Sequence, residues 1–235
     1  VVTNLLLLAI DASTGCLSLA LTGEAGFWLE VAHQGPKARA ESVVAAIHRL
    51  LQQAGTSPSE LQAIAVGAGP GSYTGTRVAV AAAKGLAYAR DLPLVAVSTL
   101  DVLAAGLPAP GFRVCPLLDA RREEVYGAVY QNSWSGRPLA GYVNLPLTEF
   151  LDLLDEGPVV FLGDGALRYR HRITERLGER AWVAPEEFAH PRGLVLARLG
   201  RERLQAGETV DPRTLVPFYL RRSEAEQAWR KSPQP

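Results

Sequence analysis

Methionine is absent from all 235 residues, position 1 included, and cysteine is nearly so: Cys16 and Cys115 stand alone in apolar runs, far apart and without CxxC spacing. That excludes a disulfide framework and a thiolate metal site, and reads as two reduced core residues of a cytoplasmic protein. The four histidines, His33, His48, His171 and His190, are scattered and never four apart, so no paired-histidine metal motif exists. Charge of either sign is in no excess, with 24 Lys+Arg against 24 Asp+Glu, so no global field gathers nucleic acid or anionic membrane. Long hydrophobic runs are missing as well. The six residues Leu5 to Ile10 have no basic lead, are too short to span a bilayer and meet Asp11 at once, which reads as a buried strand. What remains is 48% apolar and 20% charged, a chain with a sizeable core and room for two lobes.

Glycine is concentrated in one place of consequence. Gly69-Pro70-Gly71-Ser72-Tyr73-Thr74-Gly75-Thr76-Arg77 follows a buried-looking strand and opens a long helix, which aims backbone N–H groups and the positive helix end at one spot. The usual nucleotide fingerprints fail residue by residue. Thr74 stands where a Walker loop needs its second glycine, and also where the dinucleotide pattern needs its third. Pro70 and Thr74 replace the flanking glycines of a nucleophile elbow. The loop is therefore a binding loop of another kind or a docking corner, with Gly69, Gly71, Ser72, Tyr73, Thr74 and Gly75 as its corner residues.

Along the chain, strands Leu5 to Ile10, Cys16 to Thr22 and Phe27 to Ala32 form a meander that places Asp11, Ser13 and Thr14 together at a sheet edge. A helix from Ala38 to Ala54 follows, then a capping box at Ser57 to Glu60 and a strand from Ala63 to Gly67. The helix Thr74 to Arg90 has almost no polar face, so it is expected to be covered on nearly all sides, either as a core helix or as one shared between subunits. Its Ala81, Gly85 and Ala89 recur every four residues, a stripe that admits close approach. Pro93 to Val97 is a strand, Ser98 caps a helix ending near Gly106, and Leu107 to Gly111 is the best linker. This divides the chain into an N-terminal lobe, 1–106, a C-terminal lobe, 107–222, and a polar tail, 223–235. The second lobe opens like the first: strand Arg113 to Leu118, an Asp119-led turn, strand Val125 to Gln131. Beyond lie a helix Thr148 to Leu154, a strand Val159 to Leu162, the turn Gly163-Asp164-Gly165, a basic helix around Arg168 to Leu177, a helix Leu194 to Ala206, and an extended Val216 to Arg222 expected to pack back on the body.

Two lobes that each open on a hairpin with an Asp-led turn resemble the superfamily of sugar kinases, actin and heat-shock ATPases. The implied fold is α/β, with duplicated ribonuclease-H-like lobes and the second one reduced. More specifically, Ile10-Asp11-Ala12-Ser13-Thr14, the Gly69 to Arg77 block, Lys84-Gly85-Leu86-Ala87, Asp119 to Tyr126 and Pro217-Phe218-Tyr219-Leu220-Arg221 look like the TsaB family, also called YeaZ. That resemblance implies a non-catalytic subunit supporting threonylcarbamoyl transfer to the adenosine beside the anticodon of tRNAs reading codons that begin with A. It implies a heterodimer with the transferase TsaD, joined by the ATPase TsaE, with tRNA reached mainly through the complex. It requires no cofactor or metal of its own, and any nucleotide would sit at the interface of the complex. Asp11, Ser13 and Thr14 are the candidate phosphate contacts. An ATP-dependent small-molecule kinase is the alternative, and a glycoprotease-like metallopeptidase, which lacks its histidine pair here, the weaker one.

The expected partner surface joins the two N-terminal-lobe helices, with Val43 and Ile47 on the first and Arg77, Val78, Ala81, Ala82, Gly85, Leu86 and Ala89 on the second. Alone, the same surface is expected to pair with itself as a homodimer. Arg168, Arg172 and Arg176 share one helical face, a candidate RNA contact outweighed by pairing with acids such as Glu175 and Glu179.

Overall fold

The computed structural model describes residues 5–23, 26–35, 42–131 and 137–221. Two five-stranded sheets carry the chain. The first contains β1 (Leu7–Asp11), β2 (Cys16–Thr22), β3 (Trp28–Gln34), β4 (Ala63–Gly67) and β5 (Leu94–Val97), in the order β3-β2-β1-β4-β5. The second contains β6 (Arg113–Asp119), β7 (Glu124–Gly127), β8 (Val143–Pro146), β9 (Val159–Leu162) and β10 (Ala181–Val183), in the order β10-β9-β6-β7-β8. Read from each lobe's third strand, the two orders are the same. So are the directions: the first three strands of each sheet pair antiparallel and the last two join parallel. The expected repeat is thus a duplication of topology, the ribonuclease-H-like lobe built twice, and the fold is that of the actin-like ATPase and sugar-kinase superfamily. The second copy is the slighter, with strands of three or four residues at β7 to β10.

Helices occupy corresponding places: α1 (Val43–Gln53) before β4, α2 (Tyr73–Arg90) before β5, α3 (Thr99–Gly106) after it. In the second lobe α4 (Leu147–Asp152) precedes β9, α5 (Asp164–Arg168) and α6 (Arg170–Leu177) precede β10, and α7 (Gly193–Gln205) follows. The single basic helix expected over Arg168 to Leu177 is broken at Tyr169 into α5 and α6. The part of the expected first helix before Ser42, Ala38 included, and the 223–235 tail lie outside the described residues.

Alternation along β1 divides the first core. Leu8 and Ile10 face α1 and α2, while Leu7 and Ala9 face the other way. That second face is built from small residues, Ala9, Ala20, Ala63 and Ala65, and the helix that covers it is α7, from the far end of the chain. The approach is close: a Cβ on Gly200 would lie 2.5 Å from the Ala65 Cβ, and one on Gly193 2.8 Å from the Leu19 carbonyl carbon. Reciprocally, α3 sends Leu100, Leu103 and Ala104 onto Val114, Val160 and Leu162 of the second sheet. The closing helix of each half therefore covers the sheet of the other, and α3 and α7 lie together between the sheets.

A polar clamp fixes that central layer. Asp101 on α3 is fully buried and accepts from Tyr130 Oη at 2.7 Å, Tyr142 Oη at 2.9 and 3.0 Å, and Arg203 of α7 at 2.5 Å. Asp101 belongs to the N-terminal half of the chain and all three donors to the C-terminal half, so the carboxylate is satisfied only when the halves are docked. Asp101→Ala is expected to lower unfolding free energy by about 3–5 kcal/mol, since it removes the one carboxylate that two phenols and the Arg203 guanidinium share. Tyr142→Phe should cost about 1 kcal/mol. Urea unfolding at neutral pH reads both, and an Asp101→Ala midpoint equal to the parent's would show that the clamp carries no weight.

Candidate functional site

The glycine loop is a packing device first. The Gly69–Pro70 peptide is cis, and Gly69 and Gly71 have φ of 98° and 154°. The loop lies on the turn after β1, where Ser72 N donates to Ser13 O at 2.6 Å. A Cβ on Gly71 would lie 2.0 Å from Ser13 O, and one on Gly75 1.9 Å from Ala12 O. These two positions need glycine because backbone meets backbone. Ser72 then caps α2, its Oγ accepting from Gly75 N at 3.2 Å.

Beneath the loop, Asp11 and Ser13 are fully buried. Asp11 Oδ1 accepts from the Ser13 N at 2.9 Å and its Oγ at 2.7 Å, and Thr99 Oγ1 donates to Ser13 Oγ at 2.8 Å. Asp11 Oδ2 has no hydrogen-bond partner among the described residues and lies where a Gly67 Cβ would be, 1.8 Å away. Burial raises the Asp11 pKa to about 6, against the lowering effect of the Ser13 bonds. Thr14 Oγ1 is 3.0 Å from His190 Nδ1, across the crevice between the lobes. Beside His190, a small cavity lined by Val102, Leu103, Leu162 and Phe188 holds about 10 Å³, room for about one water molecule.

The second lobe repeats the arrangement. Gly163 and Gly165 press on β6, where added Cβ atoms would lie 2.3 Å from Leu117 O and 2.8 Å from the Leu118 carbonyl carbon. Asp119 N donates to Asp164 Oδ1 at 3.1 Å, and burial raises the Asp164 pKa to about 6. Gly163-Asp164-Gly165 is accordingly a packing turn. The arginine face is used internally: Arg168 pairs with Asp119 at 3.3 Å, Arg172 with Glu123 at 3.2 Å and Arg176 with Asp152 at 2.8 Å. The expected acids Glu175 and Glu179 are not the partners these ion pairs use. No group of three or more His, Cys, Asp or Glu among the described residues is placed to hold a metal ion.

The expected partner residues divide. Along α2, Thr76, Ala79, Val80, Ala83 and Ala87 are buried, while Arg77, Val78, Ala81, Gly85, Tyr88 and Ala89 are exposed on the opposite stripe; Ala82 and Leu86 lie between. The helix is therefore covered on one side, not nearly all round. Val43 and Ile47 of α1 are only 5% and 4% exposed and belong to the first core. The alternation of α1 turns out Val44 instead, 65% exposed. Tyr88, 70% exposed, was also missed, although it stands seven residues after Ala81 on the same stripe. The loop corner divides too: Gly69 is buried, Gly71 and Gly75 half-buried, and Ser72, Tyr73 and Thr74 exposed.

The C-terminal segment binds this face from the side. Phe218 N donates to Ala68 O at 2.7 Å, Lys84 Nζ to Leu215 O at 2.7 Å, and Arg221 to Ala120 O at 3.0 Å. The expectation that Val216 to Arg222 packs back on the body holds for its described residues.

Comparison with known proteins agrees with this geometry. A protein called tRNA threonylcarbamoyladenosine biosynthesis protein TsaB from Bacillus subtilis is 37% identical over 231 residues, spanning 96% of this chain and 98% of its own length. The protein of the same name from Escherichia coli is 30% identical over 97% of this chain and 98% of its own. The chain belongs to the TsaB family. YeaZ from Pseudomonas aeruginosa superposes with a TM-score of 0.78 at 32% identity, covering 92% of this chain and all of that one. Residues 33–229 also match the family profile of TsaD, tRNA N6-adenosine threonylcarbamoyltransferase, so the resemblance to TsaB extends to its paralogue.

Asp11 makes stability depend on pH in a definite direction. Its folded pKa of about 6 lies above 3.8, so between those values the folded state holds more protons than the unfolded one. Stability falls as pH rises through that window and levels off above it, and Asp164 acts in the same sense. Asp11→Asn keeps an acceptor for both Ser13 bonds and should remove the Asp11 share. Between pH 4 and pH 7 the parent is expected to lose up to about 3 kcal/mol more than the variant in urea unfolding; parallel pH profiles would overturn this reading of the buried carboxyl.

Proposed function

We propose that this chain serves the formation of threonylcarbamoyladenosine on tRNA, as a non-catalytic subunit that docks to TsaD and supports threonylcarbamoyl transfer to the adenosine beside the anticodon of tRNAs reading codons that begin with A. TsaE joins the pair, tRNA is met mainly through the complex, and the assembly is cytoplasmic. No helix among the described residues is long and apolar enough to cross a membrane. The coarse role rests on membership of a family whose relatives carry that biosynthetic name. Support for an accessory part comes from the two glycine turns, which pack on the turn after β1 and on β6, where a kinase of this fold would hold phosphates.

One observation carries the docking mode: the outward stripe of α2, with Val78 44% exposed, Ala81, Gly85 and Ala89 small, and nothing within 4 Å of a Cβ built on Gly85. Glycine inside a helix costs about 1 kcal/mol relative to alanine, and here the fold itself does not require it. A close-packed helix from another subunit does. Self-pairing through the same stripe is the state of the lone chain, and TsaD displaces one copy.

Gly85→Leu and Ala81→Arg separate fold from docking. Gly85→Leu should melt at the parent's temperature or above, while losing both self-association and co-purification with TsaD from the same source. Retention of both by the two variants would end the proposal, as would ATP turnover by the purified chain alone.

A further inference from the structure

The small stripe allows approach but offers little area. An interface of ordinary size takes about 800 Å² from each partner, a patch about 16 Å in radius. Alanine and glycine at 81, 85 and 89 cannot supply it, so large side chains must stand within that radius. Two groups do. Tyr88 is 70% exposed about 10 Å along the axis on one side of Ala81, and Tyr73 is 47% exposed about 12 Å away on the other.

Tyr73 does not stand alone. The Arg77 guanidinium lies 3.8 Å over its ring and donates through Nε to Tyr219 Oη at 2.6 Å, and the Tyr73 and Tyr219 ring centroids are 5.6 Å apart. Tyr219, 42% exposed, comes from the C-terminal segment. That segment is already fastened on either side of it by the Phe218–Ala68 and Arg221–Ala120 bonds, so Tyr219 is not needed as a tether. Together the three tyrosines leave roughly 300 Å² of ring surface outward, more than a third of what one partner contributes.

We infer that Tyr73, Arg77 and Tyr219 form an aromatic anchor of the partner surface, so that the C-terminal segment, and not the helices alone, docks the TsaD paralogue. This rests on the docking reading above. Arginine and tyrosine held in place before contact are the residue types that dominate such interfaces, because stacking and the hydrogen bond have already restricted their rotamers. The surface has small residues at its centre and aromatic rings at both ends, and it fits a helical partner with its own small stripe between apolar rims.

The test measures affinity of the full chain for TsaD by calorimetry, with thermal melts of each variant alone. Tyr219→Ala should weaken binding at least tenfold, Tyr73→Ala by a similar factor, and Tyr219→Phe, which keeps the ring, by no more than about threefold. The double variant should lose less than the product of the two, because the rings are one unit. If Tyr219→Ala and Tyr73→Ala bind like the parent while Gly85→Leu does not bind, the anchor is wrong and the helix interface stands. If Gly85→Leu also binds like the parent, the docking reading itself fails. Should Tyr219→Ala melt early, Tyr73→Ala, whose position lies outside that segment, decides.

Discussion

Backbone contact between the glycine loop and the turn after β1 is the constraint from which the rest of this molecule follows. With the Cβ positions of Gly71 and Gly75 already taken by the carbonyls of Ser13 and Ala12, the loop can lie nowhere but against that turn. Asp11 is sealed beneath it, α2 starts at a fixed place and angle, and Gly69 O receives Thr99 N from the start of α3. Gly163 and Gly165 repeat the contact on β6. In a fold of this kind the space between the two Asp-led turns is where a phosphate would be expected. Here a glycine turn packs on the turn after β1 in the first lobe and another on β6 in the second, and the first of these contacts sets where α2 begins.

Rigidity is carried inward by the exchange of α3 and α7. Each lies on the other lobe's sheet, so opening the lobes as a hinge would pull hydrophobic faces off both and strand Asp101 away from Tyr130, Tyr142 and Arg203. The two halves are thereby tied together behind α2, as the proposed docking role of that helix would require. The cost is a buried carboxyl with an unpaired oxygen at Asp11, tolerated because its other oxygen takes two bonds from Ser13.

Much of this was legible in the residues, and the failures share a cause. The strand meander, the glycine loop, the limits of α2 and the returning C-terminal segment are written in local patterns of period two or 3.6 and in turn chemistry. Val143–Pro146 and Ala181–Val183 were missed because strands of four and three residues at a sheet's rim have too few positions to show alternation. Val43 and Ile47 were set on the wrong side of α1 because an apolar stripe declares that a helix packs, not against what; here its own sheet claimed it. Arg168, Arg172 and Arg176 found acids 49, 49 and 24 positions away in the chain, beyond the reach of helical spacing. Asp101 gave no signal, since its donors are drawn from three separate segments.

The character of α2 reconciles the two readings that composition left open. A helix serving only its own sheet would be apolar over one stripe and polar over the rest. Burial along α2 keeps the 3.6 period, through Thr76, Ala79, Val80, Ala83 and Ala87, yet the opposite stripe, Arg77 apart, is small, apolar and aromatic in place of polar. Two demands of different origin are superimposed on one stretch of sequence. The inner stripe satisfies the first core, and Gly75 is explained by a contact of 1.9 Å with the turn after β1; the outer stripe holds Gly85, for which no contact among the described residues gives a reason. Glycine in a helix interior costs about 1 kcal/mol relative to alanine, and the helix proposed to seat across Ala81 and Gly85 would give that glycine a reason.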